Sequence, residues 1–406
     1  VCGATAHCEH RATEASTALR VLLMTHYYQP EVGAPQKRWN YLVDFLIQRG
    51  HEVAVCAPVP HYPLGRRFTQ DKVWVWESGA HGERVLRVPY VPYTGSVAVQ
   101  MLDQALSSLA EAFATAYMRT RKPDVVISTT PGLPMLFAGE LASRILSVPH
   151  IAEVRDAWPD LIWQTRLVEN ATKSLLPKRV SSALERKLIP QLLIRAQKQA
   201  DAVIVTTQAF QRVSEERGMS NVHLIRNVAE PHPSPSRPKQ KGTLNLLYVG
   251  TVGRSQGLEY VVDAVRDTPH VTLRVVGDGA AKLRLKQQAA GATNIQFYPQ
   301  TVGAPLETHW NWADSGLVTL APLQAFEMTV PSKLYGVMAR GKHVTGVLGG
   351  EAASIVENSH AGDISAPGDA QALRVLLADL AEQQKLGHDV GPVSYTHLTL
   401  PTKRIV

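Results

Sequence analysis

Along most of this chain, short β-rich apolar runs alternate with stretches long enough for helices. In the first half the runs fall at 20–25, 52–57, 84–88, 124–129, 150–154, 202–206 and 222–226. In the second half they fall at 244–249, 272–276, 294–297, 315–320, 343–347 and 362–365. Buried parallel strands have this pattern because helices cover both faces of their sheet. The alternation therefore predicts an α/β fold.

A proline-rich segment, 230–242 (EPHPSPSRPKQKG), separates the two series. Four prolines among polar residues are typical of an extended linker. We therefore predict two Rossmann-like domains, 20–228 and 243–392, joined by a linker at 229–242 and separated by a cleft. A length of 406 residues agrees with two domains. Within the first domain, a broad apolar face at 37–48 that includes Phe45 predicts a helix, which Gly50 ends.

The two ends differ from the rest. Residues 1–19 show no sustained period, so we expect a disordered leader or non-native sequence there. Residues 394–406 (SYTHLTLPTKRIV) resemble the adaptor-derived tail often found on conceptual translations from environmental sequencing. We therefore expect the native sequence to be cut short near residue 392.

Composition narrows the class of protein. The net charge of +7 is small for this length and does not by itself indicate a nucleic-acid partner. Three cysteines cannot build a disulfide scaffold, which favours a reducing compartment. There is no run of eighteen apolar residues and no apolar core of a signal peptide near the start. Composition therefore predicts a soluble cytoplasmic protein.

The loop after the first run of the second domain is glycine-rich. It reads Gly250 to Gly257 (GTVGRSQG), and a helix is expected from Leu258. Gly253 and Gly257 let the backbone approach a ligand, the helix start presents free N–H groups to an anion, and Arg254 suits phosphate oxygens. The spacing is not that of an NTPase loop and matches the dinucleotide motif only loosely. The alternative is an ordinary turn with a solvated arginine.

A loop of the first domain is expected to face the glycine-rich loop of the second. Residues 26–34 (HYYQPEVGA) follow the first run. Ligands of open α/β sheets bind beyond the carboxyl ends of the strands, so both loops should line one crevice. Gly33 would let the backbone approach the ligand there, unless it is an ordinary loop glycine.

Two further segments carry candidate site residues. Glu153, Arg155 and Asp156 follow a predicted strand, where charges are costly to bury unless they are paired or used. Asp156 could pair with Arg155, or Glu153 or Asp156 could contact a sugar hydroxyl or accept its proton. Lys333 lies in the first turn of a predicted helix, where a cation opposes the helix dipole unless an anion docks there.

In this order the segments resemble the retaining GT-B glycosyltransferases of family four, the former group 1, and within it the WbuB-like branch. The matching segments are 27–33 (YYQPEVG), 61–65 (HYPLG), 153–159 (EVRDAWP), 253–257 (GRSQG), 276–279 (VGDG), 330–336 (VPSKLYG) and 349–351 (GGE). The resemblance covers residues 20–385. It implies a donor-binding second domain and an acceptor-binding first domain.

The resemblance also implies roles. Arg254 and Lys333 would hold the diphosphate of a nucleotide-diphosphate sugar together with Gly253, Gly257 and Gly277, and Gly33 would pack against it. The chain has no Asp-x-Asp motif, so we expect metal-independent transfer without a cofactor, since two cations and a helix start can stabilise the leaving diphosphate. The implied reaction transfers an amino sugar to a lipid-linked saccharide in O-antigen, capsule or lipopolysaccharide biosynthesis.

Two departures from the family pattern bear on the site. Gly336 stands where many members carry the second of two glutamates, which holds the nucleotide ribose, and Glu351 is our substitute for that role. Many members also carry a lysine shortly after the loop arginine, and Gln256 stands near that place here. Lys333 would supply the missing positive charge. The rival hypotheses are a nucleotide-sugar 2-epimerase and an inactive nucleotide-sugar-binding remnant.

The excess positive charge is concentrated at 163–200, which contains eight basic residues and only two glutamates. Leucines are interleaved with these charged residues. This stretch predicts peripheral contact with the inner face of the cytoplasmic membrane, with a solvated helix face as the alternative. The family resemblance also implies a last helix that crosses back to brace the first domain. The helix expected at 370–385 belongs to the second domain, so we expect a chain less stable than full-length relatives.

Overall fold

The structure is a computed structural model that describes residues 18–62, 65–70, 72–115, 121–173, 176–229, 232 and 242–386. The predicted adaptor-derived tail, nearly all of the predicted leader and most of the predicted linker lie outside these residues. The described residues form two parallel-sheet α/β domains, as the alternation predicts.

The first domain contains an eight-stranded sheet in the order β3-β4-β2-β1-β5-β6-β7-β8. Its elements are β1 (Arg20–Thr25), α1 (Ala34–Gln48), β2 (Glu52–Pro58), β3 (Trp76–Ser78), β4 (Arg84–Val88), α2 (Val97–Ala114), β5 (Val125–Thr129), α3 (Pro134–Leu146), β6 (His150–Val154), α4 (Asp160–Gln164), α5 (Leu167–Thr172), α6 (Lys178–Ala183), a π-helical turn (Leu184–Leu188), α7 (Ile189–Gln199), β7 (Ala202–Val205), α8 (Gln208–Glu216) and β8 (Val222–Leu224).

Strand β1 illustrates why both faces of this sheet are apolar. Leu22 and Met24 pack with residues of α2 and α3, and Val21 and Leu23 pack on the other face with residues of α1. Since successive side chains of a strand point to opposite faces, an unbroken apolar run is what a sheet covered on both sides requires.

Three details differ from the predictions. The helix expected at 37–48 begins at Ala34, because Pro35 is tolerated in the first turn. Phe45, which lies on the predicted apolar face of that helix, is exposed, with the Arg49 guanidinium 4.5 Å from its ring centroid. The short antiparallel strand β3 was not predicted, because three residues are too few for a pattern to stand out.

The second domain contains a six-stranded parallel sheet in the order β11-β10-β9-β12-β13-β14. Its elements are β9 (Leu244–Val249), a 3-10 turn (Arg254–Gln256), α9 (Leu258–Arg266), β10 (Val271–Val276), α10 (Lys282–Gln288), β11 (Ile295–Tyr298), α11 (Ala304–Trp312), β12 (Ser315–Thr319), a 3-10 turn (Gln324–Met328), α12 (Ser332–Met338), β13 (His343–Val347), α13 (Gly350–Asn358), β14 (Gly362–Ser365) and α14 (Ala370–Lys385).

The two domains are packed against each other. Helices α4 and α8 of the first domain contact the 3-10 turn Gln324–Met328 of the second, and one cluster of buried apolar residues includes both Phe210 and Phe326. Polar contacts also cross: Thr207 Oγ1 donates to the carbonyl of Met328 (2.7 Å), and Ala325 N donates to Gln164 Oε1 (2.8 Å). Helix α14 packs on α9 and β14 of its own domain.

Candidate functional site

The glycine-rich loop of the second domain is held by backbone hydrogen bonds to the loop after β10. Gly250 N donates to the carbonyl of Val276 (3.0 Å), and Val252 N donates to the carbonyl of Asp278 (2.9 Å). Gly277 and Gly279 have φ values of +153° and +155°, and a Cβ on Gly277 would lie 1.9 Å from the carbonyl oxygen of Gly250. Only glycine combines this backbone with so close an approach, so the paired loops require it.

Lys333 lies over this loop. Its Nζ is 4.8 Å from the ring centroid of Tyr248, and a Cβ on Gly250 would lie 2.5 Å from its Cε. Burial lowers the pKa of the Lys333 ammonium to about 8. Lys333 is only partly exposed, and none of the carboxylates in the described ranges forms an ion pair with its ammonium, although a desolvated ammonium is normally paired. The arrangement suits an anion that supplies the missing charge.

Arg254, Gly253 and Gly257 lie in the loop immediately before helix α9. Arg254 is exposed at the start of the 3-10 turn, and its guanidinium has no ion pair with any described residue. Gly253 N donates to Gln256 Oε1 (3.0 Å), so Gln256 stabilises the loop. Gly257 has a φ of +60°, and a Cβ there would lie 3.0 Å from Cα of Ala321. The predicted residues Gly253, Arg254, Gly257, Gly277 and Lys333 therefore belong to one end of the second sheet.

Glu153 lies in the interior of the first domain rather than in an open site. Its Oε1 accepts from Arg38 Nε (2.8 Å), and its Oε2 accepts from Trp39 Nε1 (2.9 Å) and Thr129 Oγ1 (2.6 Å). Burial would raise the pKa of the Glu153 carboxyl, but the positive charges of Arg38 and Arg155 hold the pKa below its usual range. The geometry makes Glu153 a partner of helix α1.

Asp156 has a different environment. Its carboxylate has no hydrogen bond or ion pair within the described part of the chain, so the structural pair with Arg155 is not formed. Burial raises the pKa of the Asp156 carboxyl, and the charge of Arg155 opposes that shift. A partly exposed carboxylate at the carboxyl end of β6, without a protein partner, is free to contact a ligand.

The predicted residues Gly33 and Glu351 belong to different domains. Gly33 precedes α1 in extended backbone, and a Cβ there would meet the side-chain oxygen of Gln36 at 2.5 Å. Glu351, near the start of α13, accepts from Arg226 Nη1 and from the backbone N of Ala209 (2.7 Å). Both Glu351 oxygens are thus bonded to the first domain. Arg38 extends this connection, since it donates to the carbonyls of Ile225 and Arg226.

The supporting residues Arg38, Trp39, Arg226 and Tyr248 were not among the predicted site residues. Tyr248 lies in the strand just before the predicted glycine loop, so the loop pattern was the available signal for it. No comparable signal marks Arg38 or Arg226, because their partners are more than one hundred residues away along the chain.

Comparisons with known proteins agree with this geometry. Residues 33–227 match the family described as "Glycosyl transferase 4-like domain", and residues 243–383 match "Glycosyl transferases group 1". WcaI of Escherichia coli K12, named as a colanic acid biosynthesis glycosyl transferase, is 25% identical over 80% of this chain and 82% of its own length. WbjE of Pseudomonas aeruginosa, named as a glycosyltransferase, is 25% identical over 70% of this chain and 73% of its own length.

Solved structures share the whole architecture. Sucrose-phosphate synthase from Thermosynechococcus elongatus superposes with a TM-score of 0.70 at 16% identity, covering 93% of this chain and 94% of that one. Anabaena HepE in complex with UDP-glucose gives a TM-score of 0.64 at 17% identity, with the same coverage. The two domains together therefore have the GT-B fold.

Proposed function

The chain belongs to the group 1 glycosyltransferases of GT-B fold, and from that premise we propose a retaining, metal-independent transfer of a sugar from a nucleotide-diphosphate donor to a lipid-linked saccharide. The sugar is proposed to be an amino sugar, as the WbuB-like motifs imply, and the product a precursor of surface polysaccharide. The names of WcaI, as a colanic acid enzyme, and of the lipopolysaccharide galactosyltransferase WaaB support that setting.

The observation that carries the proposal is the partly buried Lys333 amine over the glycine loop, without a carboxylate partner in the described ranges. A diphosphate would supply that partner, and the exposed Arg254 can bind a second oxygen. When the sugar–phosphate bond breaks, negative charge grows on the leaving diphosphate. Cations already in position stabilise that charge without reorganisation.

The remaining predicted residues take supporting roles in this proposal. Asp156 contacts the acceptor or the transferred sugar, and Gly33 lets the backbone of the first domain approach the donor. Glu351 takes the ribose only after its bonds to Arg226 and Ala209 open. Glu153 acts by holding Arg38 and Trp39 of α1, the helix that begins after Gly33.

The proposed lipid-linked acceptor is supported by one surface of the first domain. All eight basic residues of 163–200 are exposed, alongside Trp163, Val180, Leu188 and Leu192. The neighbouring α2 exposes Leu102, Leu106, Leu109 and Phe113 along one face, and α3, which packs on both α2 and α7, exposes Phe137 and Leu141. No helix of the described ranges combines the length and apolarity needed to cross a bilayer. We propose that this surface rests on an anionic membrane.

Donor binding is tested by calorimetry with a panel of nucleoside diphosphates. We expect one of them to bind, and Arg254→Ala and Lys333→Ala each to weaken it at least tenfold. Arg284→Ala, an exposed arginine on α10, is the matched control and should bind as the parent protein does. Unchanged affinity in both site variants would remove them from the donor site.

Transfer is tested by incubating the protein with radiolabelled nucleotide sugars and membrane-extracted lipid-linked saccharides. Label in the lipid fraction with retained anomeric configuration supports the proposal. A new nucleotide sugar formed without acceptor would indicate a 2-epimerase instead. Diphosphate binding without turnover on any acceptor would indicate the inactive remnant.

A further inference from the structure

Three buried side chains of the first domain converge at the carboxyl ends of β1 and β2. His26 follows β1, His61 lies in the loop after β2, and Asp103 comes from α2; they are 2%, 0% and 0% exposed. Asp103 Oδ2 lies 3.0 Å from His61 Nε2 and 3.2 Å from His26 Nε2. One ligand atom from each of the three falls within 4.8 Å of the others.

The hydrogen bonds around His61 leave its Nε2 facing the carboxylate as a lone pair. His61 Nδ1 is 2.8 Å from the carbonyl oxygen of Val59, which can only accept, so Nδ1 carries the proton. In a neutral imidazole, Nε2 is then an acceptor, yet it faces another acceptor, Asp103 Oδ2. A positive centre is required between these two atoms, either a second proton on the ring or a metal ion.

His26 adds a second nitrogen to the same oxygen. Neither of its ring nitrogens has a hydrogen-bonded partner of good geometry in the described structure, although the side chain is almost fully buried. Buried polar atoms are normally satisfied, so this imidazole points to a partner that the side chains themselves do not supply.

The surroundings match the outer shell of a metal site. Ligating histidines usually donate their other N–H to a carbonyl or carboxylate, as His61 does to Val59, and ligating carboxylates are themselves hydrogen-bonded. Asp103 Oδ1 accepts from Val91 N (2.7 Å) and Ser107 Oγ (3.2 Å), which leaves Oδ2 for the ligand. For a metal about 2.1 Å from each atom, the 3.0 and 3.2 Å spacings give N–metal–O angles of roughly 90–100°.

We propose that His26, His61 and Asp103 bind a divalent transition-metal ion, with zinc as the best match to two imidazoles and one carboxylate. The ion would join the loops after β1 and β2 to helix α2. Glu31 connects the same loops, since its Oε1 accepts from the backbone N of His61 (2.8 Å) and of Tyr62 (2.9 Å). None of the three side chains is among the residues proposed to bind the diphosphate, so this test is separate from the test at Lys333.

The test measures metal bound to tag-free full-length protein that is refolded with Zn²⁺ or Co²⁺ and then freed of excess ion by gel filtration, since a buried site exchanges slowly. We expect one equivalent of zinc by elemental analysis, and visible d–d bands in the Co²⁺ form. His61→Ala and Asp103→Ala should lose both, whereas His223→Ala, an exposed histidine on β8, should keep them.

His26→Gln guards against misfolding, because glutamine keeps a polar side chain beside Asp103, and His26 Nε2 contacts that carboxylate at 3.2 Å without hydrogen-bond geometry. It should reduce the zinc content at least tenfold while its circular dichroism spectrum, measured without zinc, matches that of the zinc-free parent protein. If the parent protein binds no more zinc than the His26→Gln variant does, the proposal is overturned. The centre would then be a protonated His61 paired with Asp103.

Discussion

Arg226 of the first domain donates its Nη1 to Glu351 Oε1 of the second, so an ion pair of partly buried side chains spans the cleft. Arg38 holds the carbonyl of Arg226 from behind (2.8 Å), and Glu351 also accepts from Ala209 N. Arg226 thus connects Arg38 of helix α1 to Glu351 of helix α13 through hydrogen bonds.

Breaking this pair is expected to destabilise the protein. In a double-mutant cycle of Arg226→Ala and Glu351→Ala, urea unfolding should give a coupling free energy of about 1.5–3 kcal/mol, the range for hydrogen bonds to charged groups. Purely additive effects would contradict the pairing. If Glu351 takes the ribose, Arg226→Ala should bind nucleoside diphosphates more tightly, because it releases Glu351. Unchanged affinity would exclude Glu351 from the nucleotide site.

Diphosphate binding should depend on pH through Lys333. Its pKa of about 8 in the free protein means that the amine is charged below pH 8 and loses its proton above it. Binding an anion requires the charged form, so the dissociation constant should rise up to tenfold per unit above pH 8. Calorimetry between pH 7 and 9.5 measures this. Lys333→Met should bind weakly at every pH, and a flat profile in the parent protein would contradict the assignment.

Asp156 and Glu153 should separate function from stability. Asp156→Asn is expected to lower turnover by 10²–10⁴, the usual range for a proton-transfer group, with little change in the unfolding free energy. Glu153→Gln leaves the buried Arg38 without its charge partner and should cost about 3–5 kcal/mol. Steady-state rates and urea unfolding, measured for both variants, test these two expectations. The reverse assignment of the two effects would show that Glu153 is the reacting group.

Two glycines offer a matched comparison of backbone requirements. Gly277→Ala places a methyl against the Gly250 carbonyl at positive φ, so it should cost at least about 2 kcal/mol and abolish diphosphate binding. Gly336→Ala meets nothing within 4 Å inside α12 and should stabilise by about 0.5–1 kcal/mol. Thermal unfolding distinguishes them. Equal effects would mean that the loops adjust to a side chain.

Membrane contact predicts salt-sensitive binding to vesicles that contain anionic lipid. Leu106→Glu and Phe113→Glu, both on the exposed face of α2, should each reduce flotation several-fold because a carboxylate opposes both the apolar and the electrostatic attraction. Leu283→Glu is the control, since Leu283 is an exposed leucine on α10 of the second domain. Equal flotation of all variants would contradict the proposed surface.

The sequence predicted what local patterns encode. Parallel strands appear as apolar runs, and the loop at Gly250–Gly257 was found because tight backbone geometry demands glycine at particular positions. The partners of Glu153 could not be predicted in the same way: Arg38 reaches it only because α1 packs next to the ends of β6 and β8. The same holds for His26, His61 and Asp103, which the topology brings together from three separate elements.

The apolar cluster shared by Phe210 and Phe326 bears on how substrates reach the cleft. Moving the domains apart would hydrate side chains that now exclude water, and this opposes opening. Any ligand that needs a wider cleft therefore binds with an apparent affinity scaled by the fraction of molecules already open. Selectivity for the donor is then set partly by residues that never touch it.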